Sequence, residues 1–503
     1  MGLLTRRDFI TRTASTLALA PVAGPLTNLN RLLDAPRANS LSSGLNAPID
    51  HIVILCQENR SLDHYLGFLP GLQSPRPLTS NQIPDAQGNT YNPYHDPTQC
   101  DFDPNHEWDG SHQKWDAGKM DGFVKVDGGS WAMGYLDAAD HPYHGDLAQA
   151  FAICDNHFCS LIGPTTPNRL VLWTGSSGGW RENPDPAKPS TLQVMNWPTV
   201  AEALTAAGVT WACYAVADGN APSPVGAFNP YVFFPNTLSN PNTWLDISAF
   251  LAQAATGTLP QVSWIITEAA VCEHPPAPPE MGQALVARIV QALMSNSSAW
   301  TKTAFFLTYD EGGGFFDHVA PPILEYDTPA DHPWVTSSMM TKFVNDGQPI
   351  GPAFRVPLIA VSPWIPQGKV FHEPADHTSL IRFLEWRFGL PPVVTIAAGR
   401  RTGLSDLSSG LFDFTATPDT SSRGLPSTVD ISNALTTCVQ TIPQWLPPLI
   451  GPVVQPYPQP PSSVPEPAAV ALAAGVAAVG AGALARAKSR SRHAAEANTD
   501  VVT

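Results

Sequence analysis

Five short apolar runs, at 51–55, 210–216, 262–267, 304–309 and 356–362, constrain this chain more than any other feature. Each is nearly continuous in apolar residues, the pattern of a strand buried on both faces rather than of one half exposed to water. Amphipathic stretches at 198–207, 282–294 and 378–388 accompany them. Strands interleaved with helices predict an α/β sandwich with a largely parallel central sheet. Residues 73–145 are polar, aromatic and proline-rich without clear period, and are expected to form a long loop-rich insertion over the top of that sheet. With 503 residues, 43% of them hydrophobic, the chain can bury one large or two modest cores.

The two ends read as addresses. Thr5-Arg6-Arg7-Asp8-Phe9-Ile10 and the short apolar stretch after it resemble a twin-arginine export signal, so residues 1–46 are expected to be a signal and leader handled by the Tat machinery. At the other end, Val464-Pro465-Glu466-Pro467, an Ala/Gly/Val run over 468–485 and a basic cluster from Arg486 to Arg492 resemble a C-terminal tail read by a sorting enzyme. That run is of marginal membrane-spanning length. Residues 443–467 form a proline-rich linker, 468–503 the hydrophobic helix and basic tail, and 47–442 the folded body. The expected location is the periplasm or cell surface, with membrane anchoring through 468–485. Seven cysteines leave at least one thiol unpaired, and a mixture of buried thiols and a bridge or two is expected. A net charge of −16 argues against nucleic acid as a partner and in favour of a small or lipid substrate.

In parallel sheets the site forms where the strands end, so the residues after each run carry the chemistry. The first run is followed by Gln57-Glu58-Asn59-Arg60-Ser61 and the fourth by Asp310-Glu311-Gly312-Gly313-Gly314, with Asp317-His318 close behind. Glu58, Asp310 and Glu311 would converge from separate strands. Three neighbouring carboxylates repel one another without a cation, which points to a divalent metal. Thr165 or Thr166, before Pro167 and an apolar segment, falls near a helix N-terminus, where amides and the dipole favour an anion; the same position also suits a plain cap. His106, His274, His318 and His377 offer donors for phosphoryl oxygens and an acid for a leaving group.

Four ordered blocks then resemble a family: IDHIVILCQENRSLDHYLG at 49–67, the segment 154–175, TYDEGGGFFDHVAPP at 308–322, and 356–389. They are similar to the signature blocks of bacterial non-haemolytic phospholipases C and related acid phosphatases. The resemblance implies an alkaline-phosphatase-like fold for the body and hydrolysis through a phosphoryl-enzyme. It implies Thr165 as the nucleophile, Glu58, Asn59, Asp310 and Glu311 as metal ligands, His106, His274 and His318 around the phosphate, and Asn59, Arg169 and His377 as substrate contacts. The cofactor is one divalent ion: calcium, magnesium, manganese or zinc. Many members carry a polar residue where this chain has Gly312, so a substrate contact is expected to be missing. The expected reaction is attack of the Thr165 hydroxyl on phosphorus, with His274 or His318 protonating the departing alcohol and water then cleaving phosphothreonine. A phospholipid head group is the first expected substrate, and a simple phosphate monoester the alternative. A surface-anchored binding protein that has lost its chemistry would have lost some of these residues, and none is missing.

Overall fold

The computed structural model describes residues 44–80, 82–97, 102–140, 142–183, 195–216, 228–267, 271–331, 346–432 and 434. The twin-arginine segment, the linker at 443–467, the tail at 468–503, Cys100 and Cys438 lie outside the described residues.

An eight-stranded sheet organises the body. In chain order its strands are β1 (His51–Gln57), β2 (Ala152–Cys154), β3 (Trp211–Ala215), β4 (Leu245–Asp246), β5 (Val262–Ile266), β6 (Thr303–Tyr309), β7 (Leu358–Val361) and β8 (Lys369–Phe371). Across the sheet they run β8-β2-β7-β6-β1-β5-β3-β4. Every neighbouring pair is parallel except those of β7, which is antiparallel to β6 and to β2. All five expected runs are strands, and the sheet is largely parallel as read from them. The reversal of β7 has a local cause. Arg355, just ahead of it, accepts the Leu62 amide and donates its own amide to Asp317, so β7 is entered from the end where β1 and β6 finish.

The pleat divides each strand between two cores. Val53 and Leu55 of β1, with Phe305, Leu307 and Tyr309 of β6, pack beneath helices α2 (Pro142–Ala150), α5 (Ile247–Thr256) and α6 (Pro279–Ser295). Met281, Leu285, Ile289 and Leu293, four residues apart along α6, form its buried stripe. On the opposite face, Ile52, Ile54 and Cys56 meet α3 (Thr165–Thr174), α4 (Val200–Ala206) and α7 (His377–Phe388). Asp376 caps α7 by accepting from the Thr378 amide, and Gly389, at φ +62°, closes it.

Within 73–145 the structure has more order than its composition suggests. Helix α1 (Trp108–Trp115) and short turns close a small core of their own, with Ile83, Met120, Phe123, Val124 and Met133 against Phe316 and Phe354. Cys56, Cys154, Cys159, Cys213 and Cys272 are buried free thiols, so the expected bridges do not occur among them. Among the described residues no helix is long and apolar enough to cross a membrane.

Candidate active site

Strands β1 and β6 are parallel neighbours in a register that pairs Gln57 with Tyr309, so Glu58 and Asp310 leave the sheet at the same level. The pleat turns both toward the α3 face. The two loops are tied together at Asp310, whose Oδ1 accepts the Asn59 amide at 3.1 Å and the Glu311 amide at 2.8 Å. Asn59 takes φ +61°, a conformation asparagine tolerates better than most residues. Gly313, at φ +64°, lets the second loop pass: a Cβ there would lie 2.2 Å from the Asn59 carbonyl oxygen.

Thr165 is the first residue of α3, and its hydroxyl donates to Glu58 Oε2 at 3.2 Å. Arg169, one turn further on the same helix face, is fully buried. Its Nε donates to Glu58 Oε1 at 2.8 Å and to Asp310 Oδ2 at 3.3 Å, and its terminal nitrogens donate to the carbonyls of Cys56 (3.0 Å) and Phe228 (3.2 Å). The expected substrate contact of Arg169 is therefore corrected: the guanidinium is enclosed as counter-charge to the two carboxylates. The helix start also offers an anion less than its position suggested, because the Thr166 amide donates to Asn183 Oδ1 and Pro167 has no N–H.

His106 reaches this centre from the 73–145 insertion. Its Nε2 lies 3.4 Å from Asn59 Nδ2 and 3.8 Å from Glu311 Oε1, while Nδ1 is held by the Pro104 carbonyl at 2.8 Å. His274 packs edge to face against His106, with ring centroids 5.7 Å apart. Burial holds its pKa below the ordinary histidine value, against the pull of the Asp103 carboxylate. The other two histidines have hydrogen-bond partners of their own. His318 Nδ1 bonds Asp63 Oδ2 at 2.6 Å, within a buried ion-pair cluster in which Arg355 joins Asp63 and Asp317. Its described partners, Asp63 and Arg355, belong to that cluster. His377 is wholly buried, with Nε2 on the Tyr309 carbonyl at 2.9 Å at the end of β6. Gly312 faces Ser61 and Phe354.

Of the three buried carboxylates, Arg169 meets Glu58 and Asp310, while Glu311 has His106 at 3.8 Å. Burial and the neighbouring Glu58 charge push Asp310 up to about 7, against Arg169, and burial and Asp310 push Glu311 well above the usual carboxylate range. Asn59 Oδ1 and Glu311 Oε1 are buried without a hydrogen-bond partner. Uncompensated oxygen donors and excess negative charge are what a hard divalent cation neutralises, so the residues fit such an ion. Asp103, His106 and His274 bring ligand atoms within 4.8 Å of one another at the edge of the same centre. Two further triads, Asp63–Asp317–His318 and His95–Asp137–Asp140, do so within their own ion pairs. Sequence reasoning missed Glu273, a wholly buried carboxylate directly before His274. Its only signal was an acidic residue wedged between a cysteine and a histidine.

Comparison with known proteins places the chain in a family. The model of the Phosphoesterase family matches residues 49–391. The chain is 35% identical over 463 residues to the hemolytic phospholipase C of Pseudomonas aeruginosa, covering 82% of this chain and 62% of that protein. It is 34% identical over 468 residues to the non-hemolytic phospholipase C of the same organism, covering 86% and 66%. With phospholipase C B of Mycobacterium tuberculosis it shares 33% identity over 482 residues, 84% of this chain and 88% of that one. The chain thus spans less than two thirds of the length of the two Pseudomonas relatives. A solved protein of the alkaline phosphatase superfamily from Vibrio parahaemolyticus overlays 73% of the chain and 72% of its own at 11% identity and a TM-score of 0.32, a likeness too weak to weigh. Since the family model spans β1 through α7, including both carboxylate loops and the Thr165 helix, the chain belongs to the phosphoesterase family.

Proposed function

We propose that this chain hydrolyses phosphate esters as a phospholipase C, releasing phosphorylated head groups, with Thr165 as its nucleophile. The observation that carries the reading is the hydrogen bond from the Thr165 hydroxyl to Glu58, in a centre where Asn59 Oδ1 and Glu311 Oε1 are buried without a partner. The names of the relatives support the substrate class.

A divalent cation held by Glu58, Asn59, Asp310 and Glu311 would lower the cost of a threonine alkoxide and of charge on the phosphoryl oxygens. Glu58 orients the Thr165 hydroxyl and takes its proton as the oxygen attacks phosphorus and the bond to the alcohol breaks. His274, packed against His106, protonates the departing oxygen. His106 and the Asn59 amide donate to the non-bridging oxygens. In the second half, His274 takes a proton from water, whose oxygen attacks phosphorus, and Glu58 returns its proton to Thr165 as the phosphothreonine bond breaks. Export through the twin-arginine segment and retention by the tail belong to the same proposal; replacing both Arg6 and Arg7 with lysine should leave the protein inside the cell.

The test is release of phosphocholine from phosphatidylcholine by the purified protein with divalent cation, with Thr165→Ala alongside. Release that requires Thr165 supports the proposal. Turnover retained in Thr165→Ala sinks the nucleophile. Cleavage of a simple aryl monoester without phosphocholine release makes the chain a phosphomonoesterase.

A further inference from the structure

Beneath the site lies a set of buried polar side chains that the chemistry above does not use. Gln57, Tyr309 and Glu273 directly precede Glu58, Asp310 and His274, and all three meet on the opposite face of the sheet from α3. Glu273 Oε2 accepts from the Tyr65 hydroxyl at 2.6 Å and the Tyr309 hydroxyl at 2.7 Å, and its Oε1 accepts from Gln57 Nε2 at 3.1 Å. Gln57 in turn donates to the Val271 carbonyl at 2.9 Å and accepts from Thr267 at 2.7 Å. The main chain is tied the same way: Arg60 Nε donates to the Glu273 carbonyl at 3.0 Å, and the Glu58 amide to the Cys272 carbonyl at 2.8 Å.

Two features show that this placement is enforced. Glu273 adopts φ +72°, left-handed backbone that a glutamate takes only when its surroundings hold it there. Gly282, on the first turns of α6, leaves the room the carboxyl needs: a Cβ there would lie 2.1 Å from Glu273 Oε1. A side chain bonded to the residues before both central carboxylates, on a backbone turned so that the next residue faces His106, fixes three site groups relative to one another.

We infer that Glu273 is the positioning residue of this site: bonded to Tyr65, Tyr309 and Gln57, it sets His274 at the height of Glu58 and Asp310. The inference rests on the leaving-group role proposed for His274. A misplaced acid hurts esters whose alcohol must be protonated and spares those whose leaving group departs unaided. General disorder of the site would hurt both alike.

The experiment compares short-chain phosphatidylcholine, an alkyl ester, with p-nitrophenyl phosphocholine, an aryl ester, in the wild-type full chain, Glu273→Gln, Tyr65→Phe and His274→Ala. For Glu273→Gln, kcat/KM on the alkyl ester should fall at least about 10-fold and on the aryl ester by less than about twofold, the loss sitting in kcat. His274→Ala should show the same asymmetry, more strongly. Tyr65→Phe removes one bond to Glu273 while keeping the carboxyl, and should give a smaller loss of the same kind even if Glu273→Gln does not fold. Parallel losses on both esters, or no loss on the alkyl ester, in Glu273→Gln or Tyr65→Phe overturn the inference while His274→Ala remains asymmetric. A His274→Ala variant without asymmetry overturns the acid assignment and the inference with it.

Discussion

Arg169→Met removes the one positive charge enclosed with Glu58 and Asp310 while keeping most of the side-chain volume. The guanidinium donates to Glu58 at 2.8 Å and to Asp310 at 3.3 Å. A charge pair at about 4 Å and an effective dielectric near 20 is worth about 4 kcal/mol, so two fully ionised pairs give about 8 kcal/mol gross, and less at pH 7, where Asp310, pushed up to about 7, is only part ionised. Exempting the guanidinium from dehydration returns several kcal/mol, while the Cys56 and Phe228 carbonyls lose a donor. The expected net loss is about 3–5 kcal/mol, the range for breaking one side of a buried ion pair. Equilibrium urea unfolding of both proteins at pH 7 with excess chelator measures it, the chelator keeping a cation from replacing the lost charge. Added magnesium or manganese should then stabilise the variant more than the wild type. A loss under about 1 kcal/mol would refute the reading of Arg169 as counter-charge, because it would mean that the carboxylates do not depend on it.

Chelation of the wild type should abolish phosphate ester hydrolysis and lower the unfolding midpoint, with both restored by one of magnesium, calcium, manganese or zinc; full activity after exhaustive chelation would remove the metal from the mechanism. Although burial opposes it, the Arg400 guanidinium and the Thr378 hydroxyl hold Asp376 below the ordinary aspartate pKa. A carboxyl with a depressed folded pKa contributes stability fully present above the unfolded value, about 3.9, and lost as pH falls through the folded one. Asp376→Asn should therefore flatten the fall in stability below about pH 4, and an unchanged acid limb in urea melts would count against the pair. Gly282→Ala, in an ordinary helix a gain of about 0.5–1 kcal/mol, should instead cost about 1–3 kcal/mol, since its methyl meets the Glu273 carboxyl. A melting temperature at or above wild type would show that Glu273 moves freely.

What could be read from the sequence was local. The runs that became β1, β3, β5, β6 and β7 are long and apolar enough to carry their own signal, and strand-end logic placed Glu58 beside Asp310 before any geometry was known. Strands β2, β4 and β8, at two or three residues, are too short for periodicity to register, and they pair only because the sheet already stands beside them. Direction was equally out of reach: an apolar run reads the same either way, and β7 is reversed by the Arg355 contacts to Leu62 and Asp317.

Of the site, residue type was legible and partnership was not. Glu58, Asn59, Asp310, Glu311, Thr165, His106 and His274 were singled out by their place after strands, before a helix or in short motifs, and tertiary structure brought them into one centre. The same reasoning put His318 there too, and the structure ties it to Asp63, 255 residues away in the chain. Arg169 was placed at the substrate by the family resemblance; only packing of α3 on β1 and β6 decided that it faces carboxylates instead. Sequence determined which chemical groups the protein possesses and which stretches must be buried, because both follow from side-chain identity and short-range periodicity. Tertiary structure alone decided which charges meet, because hydrogen bonds and ion pairs act over a few ångströms between residues that the chain holds hundreds of positions apart.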